Sequence, residues 1–302
     1  MPAVISAEQL TKSYGKSRGV VDLSFEVQPG EVFGYLGPNG AGKTTTIRTM
    51  LDFIRPTSGR ITVFGLDPRH ESPAVHARTG YLPGEFGLYE RLSGAEYLRT
   101  FAGLRGGVPW TTVTGLADRL KLDLSVRIRS LSHGNKRKVG LIQAFMHQPD
   151  LLVMDEPTQG LDPLVQQEFY ALVDEVRARG ATVFVSSHVM PEVERVCDRV
   201  AIIREGRLIQ VADIGELKSH ALRRLDVHFD RPVPASAFAS LASVVTADAS
   251  GDEVRLTIRG PGDEVIKEAA RHTVVTLTTH EPSLEDVFLD VYRNGAKAGQ
   301  EP

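Results

Sequence analysis

The chain has 302 residues, 41% hydrophobic and 24% charged, enough for one large domain and a smaller one, or for two. Its net charge of −3 gives no support to a general nucleic-acid binder. Divided after Lys218, neither part is basic: residues 219–302 carry 9 Lys and Arg against 13 Asp and Glu, the rest 26 against 25. A single cysteine, Cys197, excludes intramolecular disulfides and cysteine-based zinc sites, and no apolar run is long enough to span a bilayer. The N-terminus lacks the basic-then-apolar order of a secretory signal, so the expectation is a soluble cytoplasmic protein.

In chain order, the first informative run is EVFGYLGPNGAGKTTTIRTML, residues 31–51, which reads as a short strand, a glycine-rich turn and a helix that Pro56 and Gly59 close. Its centre, Gly37-Pro38-Asn39-Gly40-Ala41-Gly42-Lys43-Thr44, fits the phosphate-loop pattern G-x-x-x-x-G-K-[ST], and Thr45 follows. Glycines let backbone N–H groups approach a phosphate, and the following helix points its positive end at the same place. Lys43 is then expected at the β- and γ-phosphates of a nucleotide, and the Thr44 hydroxyl at Mg²⁺.

Residues 88–148 change character. Ser93-Gly94-Ala95-Glu96 is a capping box that opens a helix with Tyr97, Leu98 and Phe101 on one face; Gly106, Gly107 and Pro109 end it, and a second helix is expected over 111–120. These aromatics read as core rather than as a ligand site. SLSHGNKRKVG, residues 130–140, then sets Ser132 and Gly134 ahead of Lys136, Arg137 and Lys138 at a helix start, where cations oppose the helix dipole. The arrangement calls for an anion that the local residues do not identify.

LLVMDEP, residues 151–157, suits a parallel strand buried on both faces, with ligands collecting at its carboxyl end. Asp155 is then expected in the Mg²⁺ shell, with Glu156 polarising a water aimed at the γ-phosphate. ATVFVSSHVM, residues 181–190, ends a β-branched strand at Ser187-His188, and His188 is expected at the same sheet edge.

Taken together, these motifs resemble those of the ATP-binding cassette, the ATPase subunit of ABC transporters, over residues 4 to about 218. The resemblance implies a P-loop cassette with a mixed sheet core (residues 1–218) and a helical subdomain, about 88–148, that docks on a membrane protein. It implies ATP and Mg²⁺ as cofactors. It further assigns Tyr14 to stacking on adenine, Gly160-Leu161-Asp162 to the D-loop between paired subunits, and His188 to the γ-phosphate. LSHGN, residues 131–135, resembles the signature motif LSGGQ, which completes the partner subunit's site. Ser132 and Gly134 would therefore face ATP held by a second copy or a homologous cassette.

Two positions depart from the family: His133 and Asn135 stand where glycine and glutamine are usual, and Gly84 in GYLPGEFGLY stands where the Q-loop glutamine is expected. Whether Glu85 substitutes there is open. A nucleic-acid or ribosome cassette is disfavoured by the single P-loop and the lack of heptads or a basic tract. A cassette that binds ATP as a switch with little hydrolysis stays open because of Gly84.

Residues 219–302 read as strand 224–229, helix 235–241, strands 243–248 and 253–259, helix 263–271 and strand 273–279, a ferredoxin-like β-α-β-β-α-β order. DIGELKSHALRR precedes it as a linker helix. A last helix is expected in EPSLEDVFLDVYR, residues 281–293, capped by Ser283 and Asp286, with Leu284, Val287, Phe288 and Val291 as its apolar stripe. No catalytic constellation stands out in this segment, which leaves a packing or dimerisation module and a regulatory ligand site as readings. The EPSLEDVF ending resembles the extension of ATPase subunits in drug- and polyketide-export systems. That resemblance implies an ABC-2-type exporter motor, peripheral on the inner face of the membrane, driving a separately encoded permease.

Overall fold

This computed structural model of the chain describes residues 2–280 apart from Lys16, Phe86 and Ala221. The contacts divide the chain into residues 1–212 and 213–302. The break falls six residues before Lys218 because the expected linker helix groups with the second unit.

The first unit opens with two long strands, β1 (Ile5–Tyr14) and β2 (Ser17–Val27), then β3 (Val32–Leu36), α1 (Lys43–Met50) and β4 (Ser58–Val63). α1 stops at Met50, well short of Pro56. Asp52 turns left-handed (φ 54°), and Phe53 N–H bonds back to the Arg48 carbonyl at 2.8 Å, closing the last turn without help from proline. There follow α2 (Pro68–Ala77), β5 (Thr79–Leu82), α3 (Gly94–Leu104), α4 (Trp110–Arg119) and α5 (His133–Phe145). The Ser93–Glu96 capping box is formed in both directions, and it fixes the start of α3. The unit ends with β6 (Leu151–Asp155), α6 (Pro163–Ala178), β7 (Thr182–Ser187), α7 (Met190–Val196), β8 (Arg199–Arg204) and β9 (Arg207–Asp213).

β2-β1-β4 form an antiparallel sheet, and β5-β6-β7-β3-β8-β9 a six-stranded sheet, parallel from β5 to β8. Every residue of β3, β6 and β7 is buried, as strands covered on both faces require. One face carries an aromatic cluster of Phe25, Phe33, Tyr35 and Phe184, with ring centroids 5.3–6.3 Å apart. The other face packs residues of α3, α4, α5 and α6 around Leu98, Val113, Ile142 and Phe169. Strand order places the carboxyl ends of β3, β6 and β7 side by side, which is where ligands gather in such sheets.

The second unit starts with α8 (Ile214–His220), followed by β10 (Arg223–Phe229), α9 (Ser236–Ala239), β11 (Val244–Ser250), β12 (Glu253–Ile258), α10 (Asp263–Ala269) and β13 (Val274–His280). Its sheet has the order β11-β12-β10-β13, antiparallel throughout, around a core of Leu225, Val227, Phe229, Phe238, Leu256 and Val265. The element order is the β-α-β-β-α-β expected from the sequence, and only short loops separate its members. The helix expected at 281–293 lies outside the described residues.

Candidate functional site

α1 begins at the mouth of a cleft of about 500 Å³ lined from the P-loop (Pro38, Asn39, Gly40, Gly42, Lys43, Thr44, Thr45), from the end of β6 (Asp155, Glu156, Gln159) and by His188 beyond β7. Its opposite wall is the turn after β5, with Tyr81, Pro83, Gly84 and Glu85. Gly42, the N-cap of α1, has φ 107°, a conformation side chains resist, and a Cβ there would stand 2.6 Å from Val20 Cγ1. No side chain caps α1 and no acid stands in its first turn, so the helix end offers its N–H groups and dipole to the cleft.

The polar side chains converge. Lys43, only 6% exposed, donates to the Gly37 carbonyl at 2.6 Å and to Pro38 at 3.3 Å, and its ammonium lies 3.1 Å from Glu156 Oε1. That last contact is an ion pair without a directed hydrogen bond, and Glu156 Oε1 has no hydrogen-bond partner although it is buried. Thr44 Oγ1 donates to Asp155 Oδ2 at 2.7 Å, and Ser186 Oγ donates to Asp155 Oδ1. His188 Nδ1 lies 2.7 Å from Glu156 Oε2. Tyr81, across the cleft, has its phenol pushed up to about 12 by burial and then by the Asp155 charge, which keeps it a neutral donor.

This donor set fits a magnesium-bound nucleotide. The ammonium is turned onto loop carbonyls and a carboxylate where a phosphate would replace them, one carboxylate oxygen lacks a donor, and a hydroxyl and a carboxylate meet as hard oxygen ligands would.

Several of the expected residues lie elsewhere. Tyr14 does not line the cleft; it stands 44% exposed at the end of β1 with Lys12 Nζ 5.3 Å from its ring. Gly37 and Ala41 belong to the loop but do not line the cleft, Ala41 being buried at 2% exposure and Gly37 so close to Ile203 that a Cβ would come within 2.5 Å of its carbonyl oxygen. Ser132 is the N-cap of α5, accepting from Asn135 N–H at 3.2 Å, and Asp162 caps α6 through Leu164 and Val165 N–H at 3.1 Å. Neither they nor Gly134 line the cleft of their own chain. Gly134 instead packs on the Gly160 carbonyl, where a Cβ would come within 2.5 Å, and the His133 ring lies beside Gly160. His133 and Gly134 thus meet Gly160 within the same chain.

The three cations after Ser132 part company. Lys136 pairs with Glu90 at 3.1 Å, Lys138 is buried at 7% exposure, and Arg137 is wholly buried. Solvent is therefore not the environment of the last two, as a surface helix would have had it. Sequence reasoning missed Arg48, Tyr81 and Gln159, which line the cleft, and also Arg137 and Ser186, which hydrogen-bond Asp155. Ser186 carried a weak signal as the last polar residue but one of an apolar strand, whereas nothing near Arg137 marks it as interior. A second cavity, about 290 Å³, shares Tyr81 and Pro83 with the cleft but contains neither the P-loop nor the acids.

A mostly parallel sheet with a P-loop, an acid pair and a histidine at one edge is the architecture of a P-loop nucleotide hydrolase. The family model described as ABC transporter matches residues 20–159. The bacitracin transport ATP-binding protein BcrA of Enterococcus faecalis is 36% identical over 233 residues, covering 76% of this chain and 75% of that protein. The linearmycin resistance ATP-binding protein LnrL of Bacillus subtilis is 33% identical over 308 residues, 95% of this chain and 98% of its own. A solved ATP-binding subunit of an ABC transporter superposes with a TM-score of 0.66 at 29% identity, covering 71% of this chain and 92% of the other. The chain belongs to the ATP-binding subunits of ABC transporters. It is an ATPase that binds nucleotide, and its family works with membrane permeases. Among the described residues no helix is long and apolar enough to cross a membrane.

Proposed function

We propose that this chain is the motor of an exporter of drugs or other hydrophobic compounds, working from the inner face of the membrane on a separately encoded permease. The observation that carries the chemistry is the convergence of Lys43, Asp155, Glu156 and His188 at the uncapped end of α1. Relatives named for bacitracin transport and linearmycin resistance support the cargo class.

Residues 37–45 cradle the phosphates, and Lys43 exchanges its loop carbonyls for β- and γ-phosphate oxygens. Thr44 and Asp155 would hold Mg²⁺, which would supply charge neutralisation at the phosphates. Glu156, released from Lys43, accepts the proton of the attacking water, and His188 holds its second oxygen and reaches the γ-phosphate. Tyr14 stacks on adenine once the nucleotide is seated. Ser132 and Gly134, together with Asp162, complete the site of a second copy or of a homologous cassette in a head-to-tail pair; in support, the first turn of α5 carries no acid and does not line the cleft of its own chain. Residues 88–148 form the surface for the permease, and the C-terminal unit is an accessory domain. A nucleic-acid partner has no support from the charge.

Glu156→Gln tests this reading. The variant is expected to bind ATP with unchanged affinity, lose turnover and accumulate as an ATP-bound dimer in size-exclusion chromatography. Wild-type turnover in that variant would remove Glu156 from the mechanism.

A further inference from the structure

Arg137 is 0% exposed, and its guanidinium donates five hydrogen bonds to main-chain carbonyls. Nη1 donates to Pro83 at 2.9 Å and Gly84 at 2.7 Å. Nη2 donates to Asp155 at 2.6 Å and to Glu156, and Nε to Pro157 at 3.3 Å. Burying such a group is costly unless its donors are filled, and here the rigid fork fills them from two chain segments at once.

The second segment is unusual. Glu156 has φ 51°, left-handed for a residue with a side chain, and such conformations persist only where surroundings impose them. Its N–H is held by the Ser186 carbonyl at 3.0 Å, and its own carbonyl and those of both neighbours turn towards Arg137. That turn aims the Glu156 carboxylate at Lys43 and His188. The other segment packs against the same strand end, since a Cβ on Gly84 would stand 3.2 Å from Asp155 Oδ2. Arg137 itself rides on α5, five residues and roughly 7 Å of helix axis beyond Ser132.

We propose that Arg137 is a positioning residue for hydrolysis: its guanidinium holds the left-handed turn at Glu156 and ties it to the Pro83-Gly84 turn and to the signature helix of the same chain. A shift of α5 as its N-terminus seats on a partner's nucleotide is then passed to the base in its own cleft. The proposal rests on Glu156 acting as the base. It differs from a purely structural strut because it concerns kcat rather than nucleotide binding.

The test is steady-state ATPase kinetics of the full chain on Arg137→Gln and Arg137→Lys, with turnover counted per molecule that binds a fluorescent ATP analogue, beside Glu156→Gln. Gln keeps a donor but not the fork, and Lys keeps the charge but cannot bridge both segments. Both are expected to lower kcat by about tenfold to a hundredfold while KM for ATP stays within about twofold. Unchanged kcat per binding molecule in either variant overturns the proposal, however much stability is lost. Loss of nucleotide binding in both also overturns it, because the residue would then hold the fold rather than the base. If Glu156→Gln turns over like the wild type, the reading beneath fails instead, so the two failures are told apart.

Discussion

Residues 2–212 keep polar side chains in their interior, among them Lys43, Asp155, Arg137, Thr158 and Ser186, whereas among the described residues of the second unit only Asp226 is so buried. Even Asp226 sits on β10 among polar neighbours, with Arg224 at 2.9 Å and His280 at 3.0 Å. An all-apolar core is the cheaper way to fold, because each buried polar group must recover its lost hydration through partners. The first unit accepts that cost where its strands end, and there the partners are arranged so that a nucleotide can take over some of them. Among its described residues the second unit shows the same strand and helix physics around an apolar core.

The strongest way to break this comparison is to damage the second core alone. Phe238 is fully buried, with its ring 6.2 Å from that of Phe229. Phe238→Ala is expected to cost about 3–5 kcal/mol, read from chemical denaturation followed by a probe in the second unit. ATP turnover of the folded protein should stay within about twofold of the wild type, since no cleft residue belongs to that unit. A parallel fall in turnover would show that the second unit takes part in hydrolysis.

The contrast also explains what the sequence could tell. The P-loop, the acid pair and the capping box were legible because each is a local pattern: one turn, one strand end, one helix start. The β-α-β-β-α-β order was legible because its elements are short, regular and separated by turns. Arg137 was not, because its acceptors at Pro83 and Gly84 lie 54 and 53 residues away and are backbone groups that carry no residue signature. Ser132 and Asp162 were read for a partner's nucleotide, yet their side chains also cap their own helices, a local use the motif pattern does not exclude. The end of α1 was placed too late because proline was taken as the stop, when a left-handed Asp52 had already ended it.

His147 sharpens the comparison through pH. It follows α5, with Nε2 3.3 Å from the Thr79 carbonyl and Nδ1 buried without a partner. Burial, and then the charge of Arg105, lower its pKa from the ordinary 6.5 to about 4. Above pH 6.5 the ring is neutral in folded and unfolded chains, and it contributes nothing to the pH dependence. Between 6.5 and about 4 the unfolded chain takes up the proton and the folded chain does not, so stability falls as pH drops; the shift corresponds to about 3 kcal/mol, which solvent screening of this partly exposed ring reduces to about 2 kcal/mol. Comparing urea midpoints of wild type and His147→Gln at neutral pH and near the lower limit should show the variant losing less on acidification. Equal losses would mean the buried carboxylates alone govern the acid response of the first unit.

The smallest expected effect concerns the start of α3, where Ser93 Oγ accepts from Glu96 N–H at 3.2 Å and Glu96 Oε2 from Ser93 N–H at 2.7 Å. Ser93→Ala removes one half of the box and is expected to lower the stability of the first unit by about 1 kcal/mol. Turnover should not follow. α3 is held to α5 by Leu98 in the shared core and by the Tyr97 hydroxyl donating to Gln143 Oε1 at 2.8 Å, and neither depends on the cap. α5 therefore keeps its place, and with it the Arg137 fork on the carbonyls around Glu156. A frayed first turn of α3 that did slow hydrolysis would mean that the helical segment reaches the base through its helix ends as well as through its buried core, and calorimetry alongside ATPase rates on this one variant separates the two routes.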